Sequence, residues 1–233
     1  MSTQTPPSWQ EQLWQRLHHH WLLKTIGITT SISAFMVLYI ALQKYPQYPV
    51  TVMPRTALDA MVPFVPWAWL PYVSLWLYIG FAPGLLYLRG EMPRYVAATL
   101  LLAASGSAIF FFLPTDVPAA PIDWSPWPVL VFLNAADAGG NACPSLHVGF
   151  SLLTVIWIAW LLRRVSAPGW VRGVNIGWCA LIVWSTLAIR QHVALDVLAG
   201  ASLGAVMALL PLTVWPRRHS VRRIDRVAAC RDH

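Results

Sequence analysis

The chain has 233 residues and a formal net charge of +7, and it is 57% hydrophobic but only 11% charged. Soluble globular domains carry about 25% charged residues, so a surface wetted on every side is excluded. The apolar residues fall in blocks near the length that crosses roughly 30 Å of hydrocarbon. The expected class is all-α, a polytopic membrane protein whose fourteen Trp and seven Tyr suit interfacial belts and packing within spans. Cys143, Cys179 and Cys230 are too few and too scattered for a disulfide framework or a thiolate metal site.

Residues 1–8 are polar and carry Pro6 and Pro7. Ser8 followed by Glu11 reads as a capping box, and Trp9, Leu13, Leu17 and Trp21 recur every four residues. An amphipathic interfacial helix is therefore expected within a cytoplasmic segment, 1–24. The run His18-His19-His20 points in three directions on a helix, so it reads as a headgroup-level polar stretch and not a metal site. Six spans follow, at about 25–42, 67–88, 95–113, 148–162, 174–190 and 193–215, forming one domain over 25–215. No early Lys- or Arg-led segment ends in a small-residue cleavage site, so the first apolar block is expected as a retained span. A basic cytoplasmic tail is expected over 216–233.

Orientation follows from the cations between spans. One side receives Arg16, Lys24, Arg89, Arg94, Arg163, Arg164, Arg172 and the tail residues Arg217, Arg218, Arg222, Arg223, Arg226 and Arg231, thirteen in all; the other receives Lys44, Arg55 and Arg190. This asymmetry predicts both termini in the cytoplasm. The localisation expected is an integral protein of a bacterial cytoplasmic (inner) membrane. The tail then reads as a topology anchor near anionic lipid, and no nucleic-acid partner is expected. Loop 43–66, loop 114–147 and the tight connection near 190–192 fall on the outer side. Loop 114–147, proline-rich at its start and with Gly139-Gly140 near its end, reads as a rigid rim. Its Asp116, Asp123 and Asp137 read as solvated turn residues, so no metal site is expected.

Two polar clusters lie at the mouths of apolar spans: Asn141-Ala-Cys-Pro-Ser-Leu-His147 and Arg190-Gln-His-Val-Ala-Leu-Asp196. The 45 positions from His147 to His192 suit two crossings and a turn, which return the chain to the same side. Asp196, four positions after His192, is expected to share a helix face with it, orient the imidazole and leave the other ring nitrogen free to attack. The alternative is a mutually satisfied polar pair that stitches the bundle. Gly200 and Gly204 continue that stripe and let a neighbouring helix approach. Pro144 suits a first helical turn, with the N–H groups of Ser145, Leu146 and His147 facing the mouth as an oxyanion site and Ser145 Oγ as an added donor. His147 there can hand a proton to a leaving oxygen; the alternative is a plain helix start. Cys143, beside this cluster, is weighed as a reactive thiol.

Cys-Pro-Ser-Leu-His147 and Ser185-Thr-Leu-Ala-Ile-Arg-Gln-His192-Val-Ala-Leu-Asp196 resemble the second and third motifs of the membrane-bound type 2 phosphatidic acid phosphatase superfamily. The nearer likeness is to the branch that includes the inositol phosphorylceramide synthases, where Pro-Ser-Leu-His and Gln-His are common. The resemblance implies His192 as nucleophile forming a phosphohistidine, Asp196 as its orienting carboxylate, His147 as general acid and Ser145 as a phosphate ligand, with no metal and no cofactor. Two departures are visible. Thr186 stands where the family has Arg, so Arg190 is the expected substitute cation. The first motif, Lys, six residues, then Arg-Pro, is unmatched, so Arg55 from loop 43–66 is expected to reach in, with Asp59 pairing to it. Asn141 and Ser185 are possible supporting residues.

The expected activity is hydrolysis of a lipid phosphate monoester or a polyprenyl pyrophosphate at the outer face of the membrane. Two alternatives stand beside it: a head-group phosphotransferase that replaces water with an alcohol, and a non-catalytic lipid-binding or transport protein. The partners expected are that lipid substrate and the surrounding membrane lipids; oligomeric state is left open.

Overall fold

The computed structural model describes residues 6–136 and 139–214. The expected tail 216–233, with Cys230 and six of the thirteen cations counted on one side, lies outside the described residues, as does Asp137. In chain order the elements are α1 (Trp9–His18), α2 (Trp21–Lys44), β1 (Thr51–Val52), α3 (Ala57–Met61), a 3-10 turn (Pro66–Ala68), α4 (Trp69–Val73), α5 (Leu75–Leu85), α6 (Met92–Phe112), β2 (Thr115–Asp116), α7 (Pro128–Ala136), α8 (Leu146–Arg164), α9 (Gly169–Ala188) and α10 (Ala194–Val214).

Five of the described helices, α2, α6, α8, α9 and α10, are long and apolar enough to cross a membrane. They coincide within a few residues with five of the six expected spans, because uninterrupted apolar runs can satisfy their backbone groups in lipid only as helices. The remaining span, expected at 67–88, is instead three short pieces. A turn at Ser74, whose backbone stays in the helical region, divides α4 from α5, and Ser74 N–H donates to Leu70 O at 3.1 Å. The 11 residues of α5 rise only about 17 Å.

The core lies between α8 and its neighbours α5, α6, α9 and α10, with Trp157, Phe110, Leu102, Leu153, Leu161 and Ile182 fully enclosed. The closest approach is that of α8 and α10, where both expected small residues are used. A Cβ on Gly200 would strike the backbone of Ser145, and one on Gly204 the backbone of Gly149. By contrast α2 buries little of its surface against the rest.

At one end of the bundle α1 begins with its expected capping box, Ser8 N–H donating to Glu11 Oε2 at 2.7 Å and Glu11 N–H to Ser8 Oγ at 3.3 Å. The helix is docked to protein along its length. Trp9 and Leu13 pack on the core, and buried Arg16 pairs with Glu91 at 2.7 Å. Lys24 donates to the carbonyls of Arg16 and Gly84 at 2.7 and 2.8 Å, closing the end of α5 against α1 and α2.

The three connections assigned to the outer side meet at the opposite end. Strands β1 and β2 pair in parallel, Thr51 opposite Thr115 and Val52 opposite Asp116, and Asn141 bridges to Thr115. Loop 114–147 is more than a rim, since α7 interrupts it and seats Leu130 against Ala68, Ala188 and Ile189. Phe64, Trp124 and Trp127 pack edge-on around that cluster. Gly139 and Gly140 have φ of 87° and 93°, a region that favours glycine, and Gly140 passes close to the backbone of Gln43.

Candidate active site

The N-terminal ends of α8 and α10 are joined directly, because Ser145 N–H donates to the Asp196 carbonyl at 3.0 Å. Ser145 caps α8, its Oγ accepting from Val148 N–H at 3.3 Å. Two expectations change here. Pro144 precedes the cap and lies outside the first helical turn, and the Ser145 amide is engaged across the helix pair, so it is not free for an anion. The Ser145 side chain is fully buried, and its hydroxyl hydrogen remains as a donor.

His192 was expected on the α10 helix face, but it lies two residues before that helix, in the turn from α9. The Gln191 and His192 amides both donate to Thr186 O, at 3.0 and 3.2 Å, and Arg190 adopts a left-handed φ of 62°. The turn nonetheless brings the imidazole to Asp196. Nδ1 lies 3.5 Å from Oδ2, within ion-pair range but beyond a well-formed hydrogen bond, and neither His192 Nδ1 nor Asp196 Oδ1 has a hydrogen-bond partner. A small ring rotation would close this contact, as active-site hydrogen bonds often do only on substrate binding. Asp196 is fully buried, and its Oδ2 accepts from Val193 N–H at 3.0 Å, so the carboxylate is fixed while the imidazole is not.

His147, in the first turn of α8, stacks on Tyr72 of α4 with centroids 4.0 Å apart and planes 12° from parallel. The ring also hydrogen-bonds the Tyr72 backbone, which leaves Nε2 without a partner. His147 and His192 are near enough for their charges to interact.

Arg190 and Arg55 occupy positions the spacing did not foresee. Arg190 donates to the carbonyls of Asp59 at 3.2 Å and Val62 at 2.8 Å, so much of its guanidinium is committed to backbone. Arg55 donates to Pro118 O and Ala119 O at 3.3 and 3.0 Å. The two line one cavity of about 320 Å³, together with Asp59, but neither histidine lines it. Asp59 was expected to pair with Arg55. Because α3 begins only at Ala57, the two do not share a helix face, and Asp59 instead accepts from Thr56 N–H at 2.6 Å, Thr56 Oγ1 at 2.8 Å and Ala194 N–H at 2.7 Å. Burial pushes its carboxyl up, but those hydrogen bonds and the Arg190 charge outweigh it and hold the group below the usual carboxylate value.

Asn141 is buried and lines a second cavity of about 230 Å³ with Asp116, Asn134, Arg190 and Gln191. Ser185 is not brought to the histidines by its hydroxyl, which donates back to Ile182 O at 2.6 Å within α9. Burial and the Asp196 charge push the Cys143 thiol up to about 11, which makes it a poor nucleophile near neutral pH. Among the described residues, no three His, Cys, Asp or Glu side chains converge as a metal-ligand set.

A family model described as the PAP2 superfamily matches residues 111–220. Over that segment the chain is similar to the PAP2 superfamily. No curated protein and no solved structure matches the chain. The PAP2 segment holds His147, His192, Asp196, Ser145, Asn141, Ser185 and Arg190, and it begins after Arg55 and Asp59. The matched segment thus contains the histidine pair and its carboxylate, while the elements that grip the His192 turn lie upstream. Tyr72, also upstream of the PAP2 segment, was missed in the sequence: nothing in the spacing of α4 signals a stacking contact with α8. Gln191 was quoted only as a motif letter, yet its Nε2 donates to Asn134 Oδ1 at 2.8 Å and anchors α7 beside the site.

Proposed function

We propose that the chain is a membrane enzyme that hydrolyses a lipid phosphate monoester or pyrophosphate through a phosphohistidine. The observation that carries this reading is the direct junction of α8 and α10, Ser145 N–H to Asp196 O, which gathers two imidazoles and a buried carboxylate within the PAP2 segment. Asp196 faces His192 Nδ1, so Nε2 is the attacking atom: its lone pair forms the N–P bond as the bond from phosphorus to the leaving oxygen breaks. Protonated His147 gives its proton to that oxygen from Nε2, the nitrogen without a partner. Water then attacks the phosphohistidine, His147 takes the water proton, the N–P bond breaks and orthophosphate leaves. A reading of the site on the outer face is supported by the cation asymmetry, since the three cation-poor connections meet at this end.

A second reading differs only in the last step, where an alcohol replaces water and receives the phosphoryl-containing group. It is favoured by Pro144-Ser-Leu-His147, the form that resembles the inositol phosphorylceramide synthase branch. Both are tested by following orthophosphate and lipid products from phosphatidic acid, phosphatidylglycerol phosphate and a polyprenyl pyrophosphate in detergent micelles, with and without added alcohols. His192→Ala is expected to lose at least about a thousandfold in rate. Full activity in that variant removes His192 as nucleophile.

A further inference from the structure

We propose that Asp59 is a positioning residue for His192, fastening the turn that carries it to the segment 56–65 from the first half of the chain. The inference rests on the role given to His192 above. Four hydrogen bonds cross between the two segments, and all reach residues 188–194. Ala194 N–H donates to Asp59 Oδ1 at 2.7 Å, Arg190 donates to Asp59 O at 3.2 Å and to Val62 O at 2.8 Å, and Val65 N–H donates to Ala188 O at 3.0 Å. His192 lies in the middle of the stretch they hold. The turn has little regular structure of its own, since two successive amides share Thr186 O and Arg190 is left-handed.

The start of α10 shows why a carboxylate from elsewhere is used. The first amides of a helix have no partner within it. Val193 N–H is taken by Asp196 Oδ2, while Ala194 N–H is taken by Asp59. Asp196 can therefore keep Oδ1 unbonded and Oδ2 within reach of His192. Asp59 is itself locked, only 8% exposed and bound twice by Thr56. The imidazole has no hydrogen bond on Nδ1 to fix it, so its place relative to His147 is set by the backbone of this turn.

The test compares Asp59→Ala with Asp59→Asn, which keeps an oxygen acceptor for Ala194 N–H. Steady-state orthophosphate release from dioleoyl phosphatidic acid in detergent is measured alongside hydrogen exchange of the peptide covering 188–197. Asp59→Ala is expected to lower kcat by about 10- to 100-fold with KM within about twofold, the effect of a shift on the order of 1 Å in a reacting group. Asp59→Asn is expected to recover most of that loss. The inference is overturned if Asp59→Ala keeps kcat within about twofold, if the two variants fall equally, or if the loss only tracks the folded fraction. Should the unmodified protein release no phosphate from any lipid probe, the proposed function fails by itself and exchange decides. Faster exchange confined to 188–197 in Asp59→Ala sustains the positioning role, and unchanged or uniformly faster exchange overturns it.

Discussion

Replacing Gly200 with Ala tests the joint on which the site depends. A Cβ there meets the carbonyl oxygen of Ser145 and lies 2.9 Å from its carbonyl carbon and 3.1 Å from its amide nitrogen. Moving the carbon alone out to the roughly 3.5 Å of a relaxed contact requires about 0.6 Å, and the oxygen requires more. These are backbone atoms, so no rotamer change relieves them, and α10 must slide or tilt away from α8 by something near 1 Å. Overpacking of this kind costs about 1–3 kcal/mol. The Ser145 N–H to Asp196 O bond stretches with it, carrying Asp196 away from the α8 terminus. We expect a lower melting temperature in detergent and, per folded molecule, about 100-fold slower phosphate release. Gly177→Ala on α9 is the control, because a Cβ there meets nothing within 4 Å. It should leave rate unchanged and stability equal or higher by up to about 1 kcal/mol. If Gly200→Ala retained both melting temperature and rate, the claim that close α8–α10 contact sets the site would be refuted.

Tyr72→Ala removes the face on which His147 rests and should lower kcat with little change in KM, whereas Tyr72→Phe keeps the stack and should restore the rate; equal losses in both would shift the role to the hydroxyl. Arg16→Ala leaves the largely buried Glu91 carboxylate without its ion-pair partner, while the Lys24 bond to the carbonyl of residue 16 persists, and should destabilise by about 3 kcal/mol, read by thermal unfolding. Its specific activity should persist, since the 21 residues of α6 separate Glu91 from the site by about 30 Å. With Cys143 as the sole cysteine, alkylation should be slow at pH 7.5 to 8 and accelerate only as pH approaches about 11, while Cys143→Ser keeps activity. The depressed Asp59 carboxyl contributes stability that is complete above its ordinary value of 3.8 and is lost as pH falls through the lower folded value. Melting temperature should therefore fall more steeply below about pH 4 in the unmodified protein than in Asp59→Asn.

Spans were legible where the apolar run was unbroken. The expected 95–113 and 148–162 appear as Met92–Phe112 and Leu146–Arg164, the latter longer because Arg163 and Arg164 suit the last turn of a helix. The run 67–88 is helical in pieces, because a turn at Ser74 divides α4 from α5 and neither piece alone reaches spanning length. Helix α7 was hidden because Val129-Leu-Val-Phe132 sits in a proline-rich loop, and only the tertiary seat of Leu130 makes it worth forming. Within the site, the proximity of His192 and Asp196 was readable from their interval, though a turn and a helix deliver it together, and not one helix face. The partners of Arg55 and Asp59 were not readable. Local spacing suggested each to the other, whereas Asp59 meets Ala194 across 135 positions and Arg55 meets Pro118 and Ala119.

The absent first motif raises the question of what balances a phosphate here. Both Nη atoms of Arg190 already donate to carbonyls, but hydrogen bonding to neutral oxygens does not discharge a guanidinium, so its field persists at the rim of both cavities. The two helix ends are not equivalent sources of positive potential. At α10 the carboxylates of Asp59 and Asp196 take the first amides and cancel the local field of the terminus. At α8 the cap is the neutral hydroxyl of Ser145, so the partial positive charge of that terminus is not cancelled. His147 sits in that first turn, on the side where negative charge builds on the departing oxygen in the proposed reaction. In the proposed reaction the α8 terminus therefore does part of what a missing cation would do, and it does so on the leaving-group side of phosphorus, while the carboxylates gather behind the attacking imidazole.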